Sequence, residues 1–397
     1  MSKNLKAKIG IFSMSLLSMA PLGIVPSIAL IAASFPEASV SEVQMLTSIP
    51  SLMSLVAAVV VARIANVVPR KMLAIAGPAL VLVGGILPYL LPANLPLMLV
   101  CSGVLGCGVG FVSNLTQVLI TDLLAPEERQ EAMAMNTVFV NVGGIFMMFV
   151  GGQLAAGGWK NNYLVYLIAL VVVIAVTTMI PMKSQSVEAA KEAGPKPKMS
   201  ESITPNVVII AAITLVYMLL YNVFSNNIAL LLSERNLGDS GISGIVSSIG
   251  LVGGMLAGMI IGKIIPYFQK VSLGVSFALL ALAMAVIALV PDATVITVAA
   301  FFTGVSMTIL MAQCPFLISL STNPLTMPGA MAVYSIGSSF GSFASPSVMN
   351  TLNGIVFGGG AGNCILLSAI ICIIVAVLVV ASGFQAHVLA ELESAQK

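Results

Sequence analysis

Twelve stretches of this chain stay apolar for about twenty residues each, nearly free of charge, and that pattern leaves few folds open to it. They cover roughly residues 9–34, 45–64, 72–91, 96–121, 132–155 and 163–181, then 205–232, 241–262, 271–291, 294–320, 329–350 and 362–384. A helix crosses a hydrocarbon core of about 30 Å with about 20 apolar residues, and it satisfies its own backbone hydrogen bonds while doing so. A membrane barrel would instead show short segments of alternating polarity. Unbroken runs of Val, Leu, Ile, Met and Ala therefore predict an all-α membrane protein with twelve transmembrane helices. Composition agrees, since 59% of the 397 residues are hydrophobic and 8% are charged, against about 25% charged in soluble domains.

Charge placement tests this segmentation independently. With the N-terminus in the cytoplasm, fourteen of the sixteen Lys and Arg fall on the cytoplasmic side, and only Lys160 and Arg235 fall outside. Cytoplasmic loops carry such an excess. The expectation is a multi-pass protein of the cytoplasmic membrane with both termini inside. The basic start and first run do not read as a cleaved leader, whose apolar region is about 7 to 15 residues. A formal net charge of +2 offers no field for nucleic acid.

Residues 183–204 alternate in charge, contain Pro195 and Pro197, and lack an apolar stripe. They read as a solvated tether, with a regulatory or partner-binding role as the alternative. The chain thus divides into an N-terminal six-helix bundle (1–182), a cytoplasmic linker (183–204) and a C-terminal six-helix bundle with a short tail (205–397). Six plus six suggests duplication. The hairpins ARIANVVPRKM after the second run and GKIIPYFQKV after the eighth are both short, basic and interrupted by proline, Pro69 and Pro266. Gly250, Gly254, Gly258 and Gly262 recur every four residues and form a groove that a neighbouring backbone can approach. Gly143, Gly144, Gly151 and Gly152 do similar work in the fifth run, and Gly337 and Gly341 in the eleventh. Plain helix packing accounts for them, and so does a seam along which bundles rock.

Three places carry a family resemblance: the basic pair Arg70 and Lys71, the turn Pro126 to Arg129 within LLAPEERQEAMAM, and the passage GGQLAAGGWKNNYLVYLIAL from Gly151 to Leu170. On these the layout resembles the major facilitator superfamily over essentially the whole chain. The departures are Asn66 where an acidic residue is usual, Pro69 for a Gly, Ser102 for an Arg, and Met147 and Met148 where an antiporter pattern has Gly-Pro. The resemblance implies two pseudo-symmetric bundles working by alternating access. It also implies a central cavity lined mainly by helices 1, 4, 7 and 10 with gates from 2, 5, 8 and 11. Arg70, Lys71, Arg129, Gly143, Gly151, Gly152, Gly254 and Gly258 are then the gating candidates.

The polar side chains able to reach such a cavity carry no charge. The expected substrate-binding set is Asn114 and Gln117 in the fourth helix, Asn141 in the fifth, and Tyr217, Tyr221 and Asn222 in the seventh. Gln313 in the tenth and Tyr334 and Ser338 in the eleventh complete it. Bonding between neighbouring helices is the competing role for each of them. Pro21 and Pro26 free backbone carbonyls in the first helix, as a cavity lining or as simple kinks.

All fourteen acids and His387 lie outside the spans or at their ends. Proton-driven carriers commonly bury an Asp, Glu or His whose charge changes during the cycle, and no such switch is present in mid-membrane. A charged solute would want a charged partner there. The reading is a secondary or facilitative transporter for a small neutral, zwitterionic or largely apolar organic solute, with the half-retained pattern of the fifth helix favouring export. The alternative is a proton-coupled nutrient symporter using Asp122 or Glu131. A non-transport membrane sensor is more remote, for want of a soluble domain, and an intramembrane enzyme would need a nucleophile and base or a metal set. Cys101, Cys107, Cys314, Cys364 and Cys372 read as buried packing thiols. No cofactor and no metal are expected, and the partners are the solute and the lipid bilayer around a monomer.

Overall fold

The computed structural model describes residues 3–64, 68–181, 203–322 and 326–395. The tether lies outside them up to residue 202, as does Asn66. All twelve apolar runs are helical, and no strand occurs among the described residues. We number the helices in chain order. The first is α1, which runs as Lys3–Ser15, a 3₁₀ segment Ala20–Ser27 and then Ile28–Ser34. Next come α2 (Val40–Ile64), α3 (Arg70–Leu90), α4 (Leu95–Leu123), α5 (Pro126–Ala155) and α6, which is 3₁₀ over Trp159–Leu167 before Ile168–Met179. The second six are α7 (Pro205–Glu234), α8 (Ser240–Ile264), α9 (Ser272–Leu289), α10 (Ala293–Ser321), α11 (Met327–Phe357) and α12 (Ala361–Ala381). A short α13 (Phe384–Ala395) follows.

Among the described residues, eleven spans are both long and apolar enough to cross a bilayer. The twelfth, α11, has 31 residues and so extends for about 46 Å at about 1.5 Å per residue. Its apolar character is diluted by six serines.

Two compact units emerge, Met1–Gly194 with Ser240–Ser248, and Pro195–Asp239 with Ile249–Lys397. The first turns of α8 therefore cluster with the first unit, although they follow α7 in the chain. Within the first unit α4 is the hub. A methyl group at Gly106 would lie 2.6 Å from the Pro50 carbonyl oxygen of α2, and one at Gly108 would lie 2.7 Å from the Gly77 carbonyl oxygen of α3. These contacts admit only glycine, which explains the glycine-rich stretch of the fourth run without any phosphate chemistry.

The 3₁₀ segments of α1 and α6 explain each other. Pro21 and Pro26 cannot donate within α1, and the backbone tightens there. The Ala20 carbonyl accepts the Tyr166 hydroxyl at 3.0 Å, and the Gly23 carbonyl accepts Nδ2 of Asn162 at 2.8 Å. The Gly23 carbonyl, whose donor three residues on would be Pro26, and the Ala20 carbonyl are thus both engaged by α6.

The repeat is clearest in a hairpin that the sequence comparison passed over. α3 ends at Leu91-Pro92 and α9 at Val290-Pro291, and each hairpin then supplies a side-chain cap to the next helix. Asn94 accepts from the Leu97 amide, and Asp292 accepts from the Thr294 and Val295 amides. The two basic residues that break the charge pattern also sit at these places. Lys160 donates to the Leu91 carbonyl at 3.4 Å. Arg235 donates to the carbonyls of Ile287 and Val290, each at 3.4 Å, and to that of Ala288. The last carbonyls of a helix lack partners and carry the negative end of its dipole, so Lys160 and Arg235 are C-terminal caps of α3 and α9.

Candidate functional site

In the second unit the candidate residues of α7, α10 and α11 fall into separate polar clusters, most of them bridging helices. Tyr217 is fully buried, and its hydroxyl lies 2.5 Å from Oγ of Ser306, which donates to the Ser276 carbonyl of α9 at 2.8 Å. Its ring meets Phe277 edge-on at 5.1 Å and is stacked on Tyr221 at 6.0 Å. Tyr217 therefore joins three helices, while Tyr221, half-buried, covers one of its faces. Asn222 donates to the Met218 carbonyl at 2.7 Å and to Oγ of Ser342 on α11 at 3.1 Å. The Tyr334 hydroxyl, 7% exposed, donates to the Met311 sulfur at 3.1 Å. Ser338 is half-buried, and its carbonyl takes the Ser342 hydroxyl.

Gln313 is 3% exposed, and its Oε1 accepts from Gln385 of α13 at 3.2 Å. Within this unit, then, Tyr221, Asn222 and Ser338 keep accessible surface, whereas Tyr217, Gln313 and Tyr334 are enclosed. Gln385 and Ser342 are hydrogen-bonding partners that the sequence reading missed. Gln385 lies in what looked like a tail, and the only signal was Gly383 ahead of a short amphipathic stretch.

In the first unit Asn114 and Asn141 are half-buried and Gln117 is exposed. Asn114 donates to the Gly110 carbonyl at 3.0 Å and Asn141 to the Thr137 carbonyl at 2.9 Å. Each amide thus spends a donor on its own helix and keeps an oxygen as acceptor.

The charged candidates lie near helix ends. Arg70 and Asp122 form an ion pair with side chains 14% and 20% exposed. Arg70 begins α3, where the helix dipole favours a negative charge, and Asp122 lies in the last turn of α4, where it favours a positive one. Each ion is misplaced on its own helix, and pairing offsets both. Lys8 holds Glu128 at 2.9 Å, and Arg129 donates from Nε to the Leu124 carbonyl at the end of α4. Lys71 is half-buried and Glu131 exposed.

Among the gating glycines, Gly143 abuts the Leu16 backbone of α1, and Gly151 would place a methyl 2.8 Å from the Gly23 carbonyl oxygen. Gly152 would place one 2.7 Å from the Ser240 carbonyl oxygen. Gly254 lies against Thr308, whose hydroxyl donates to its carbonyl at 2.9 Å. The groove expected along Gly250 to Gly262 is filled over its first half only. Gly258 meets nothing nearer than Thr308 Cγ2 at 3.9 Å, and Gly262 faces open space.

Twelve helices in two repeats, with paired caps and glycine seams, agree with a sequence match to the family model of the Major Facilitator Superfamily over residues 9–346. The chain is a member of the major facilitator superfamily. It is accordingly a transporter of that general kind, and the family is not one of enzymes. No curated protein matches it by sequence. Among solved structures, a bacterial homologue of the human lysosomal transporter Spinster, inward-facing and unoccupied, shares 12% identity with a TM-score of 0.74, covering 98% of this chain and 97% of that one. The nucleoside transporter NupG shares 11% identity with a TM-score of 0.75, covering 96% and 99%. A D-xylose-proton symporter shares 16% identity with a TM-score of 0.68, covering 95% and 96%. At these identities the likeness is one of fold.

Proposed function

We propose that this superfamily member carries a small neutral, zwitterionic or largely apolar organic solute across the cytoplasmic membrane, as a monomer with both termini inside. It would work by alternating access and by a passive or exchange mechanism. The observation that carries this reading is the chemistry of the candidate side chains that keep accessible surface: Tyr221, Asn222 and Ser338 in the second unit, and Asn114 and Asn141 in the first, offer amides, hydroxyls and an aromatic face, and no carboxylate or base stands among them. A buried charge without a partner is strongly disfavoured, so an uncharged or internally compensated solute suits these groups. NupG and the D-xylose-proton symporter are named for uncharged solutes, which is consistent with the class. The half-retained glycine pattern of α5 favours export.

Asp122 is held by Arg70, which argues against it as a free proton carrier. Glu131 is the remaining coupling candidate at the start of α5.

The test has two parts. A thermal-shift screen against neutral and zwitterionic metabolites is expected to yield a stabilising ligand, since a ligand stabilises the state it occupies. Tyr221→Ala and Asn222→Ala are expected to abolish that shift with folding intact. Flux of this ligand in proteoliposomes is expected to persist on adding a protonophore at equal internal and external pH. Collapse of the flux would overturn the passive reading and make Glu131→Gln the next variant.

A further inference from the structure

The last helix, α13, is packed into the second unit through the buried Gln385 and Val388. Gly383 adopts a left-handed conformation, φ +59°, after α12, and this turns the chain back. Gln385 and Val388 are then each 2% exposed. The Gln385 oxygen accepts the Leu273 amide at 3.1 Å. That amide is one of the orphan donors at the start of α9, whose own preceding residue, Val271, provides no side-chain cap. Gln385 supplies the missing cap from 112 residues away.

The other half of the same amide is oversubscribed. Its nitrogen lies within hydrogen-bonding distance of Ser272 Oγ at 2.6 Å, of the Gln269 carbonyl, and of Gln313 Oε1 at 3.2 Å. Two hydrogens face three acceptors, and the Gln313 bond has the longest distance, so it is the one most easily given up. Gln313 precedes Pro315 by two residues, and Pro315 withdraws the backbone donor that the Met311 carbonyl would otherwise receive. The bond therefore lands beside the gap that Pro315 leaves in the backbone ladder of α10, just ahead of its terminal turns, Phe316–Ser321.

We infer that α13 is a latch: docked through Gln385, it pins α10 at its proline joint to the start of α9, and its release lets the terminal turns of α10 move. The rate at which this end of the unit opens is then set by α13, whatever solute is carried.

Hydrogen exchange read by mass spectrometry on the full chain in nanodiscs tests this without a substrate. Gln385→Ala is expected to raise exchange roughly five- to tenfold both in the first turn of α9 and in residues 316–321, as loss of a buried hydrogen-bonding group implies. The middle of α7 and α12 is expected to stay unchanged. Gln313→Leu, which keeps side-chain bulk and leaves the α9 cap in place, is expected to raise exchange in 316–321 alone. The double variant is expected to match Gln385→Ala there, because the two act through one bond. Faster exchange confined to α9 in Gln385→Ala, a uniform rise across all helices, or no change at 316–321 in Gln313→Leu would each overturn the latch.

Discussion

In the first unit, at the end where the basic loops lie, Arg70 pairs with Asp122 and Lys8 with Glu128. In the second unit the corresponding end is tied by uncharged groups, with Gln385 joining α9, α10 and α13. At the opposite ends the units agree, since Lys160 caps α3 and Arg235 caps α9. Helix caps and helix contacts thus persist between the repeats, while the fastening at the basic ends has diverged. Ionic ties respond to salt and to protonation of a partner. An amide network responds to neither in the same way, so the two ends can be loosened by different means.

The largest effects are expected where the repeats coincide. Gly143 of α5 abuts the Leu16 carbonyl of α1, and Gly341 of α11 abuts the Leu215 carbonyl of α7. These are equivalent helices in the two repeats. Gly143→Val and Gly341→Val both force backbones apart, and each is expected to cost about 3 kcal/mol or more. The loss would be read as a fall in thermal midpoint and in folded yield from membranes. Comparable losses would support the equivalence of the two seams; a tolerated variant at one of them breaks it.

The ionic fastening should come next. Arg70→Gln leaves Asp122 at the unfavourable end of α4 without its counter-ion, and about 1–3 kcal/mol of stability is expected to be lost, discounted for partial exposure. Arg70→Gln with Asp122→Asn is expected to recover most of it, because the uncompensated charge is what costs. A double variant as unstable as the single one would show that packing, and not charge, holds this end. High salt is expected to weaken the wild-type fastening of the first unit more than that of the second.

Several of these features were legible in the residues alone and others were not. Every apolar run became a helix because, in lipid, a backbone has no partner but itself. Lys160 and Arg235 were visible as exceptions to the charge pattern, but their purpose required knowing that α3 and α9 end in front of Pro92 and Pro291. The polar set on α7 was readable as four-residue spacings, yet nothing in spacing separates Tyr217, closed in by Ser306 and Phe277, from Tyr221 one turn later. Gln313 seemed open because its partner lies 72 positions further on, in a segment that composition marks as tail. Long-range amide pairs of this kind leave no periodicity to detect.

The smallest expected effect separates the two caps. Arg235 reaches three carbonyls at the end of α9, among them that of Ile287, whose usual donor four residues on is Pro291 and is missing. Lys160 reaches one carbonyl, at the longer limit of a hydrogen bond. A cation at a helix C-terminus contributes about 0.3–1 kcal/mol when exposed and up to about 2 in partly buried geometry. Arg235→Ala should therefore cost about 1–2 kcal/mol, and Lys160→Ala about 0.5. Arg235→Lys is expected to recover only part of the loss, because an ammonium is a point charge and cannot span three acceptors as a guanidinium fork does. Thermal midpoints of the three variants at low salt would measure the difference. Equal losses in Arg235→Ala and Lys160→Ala would mean that the dipole alone matters and that the extra carbonyls contribute nothing.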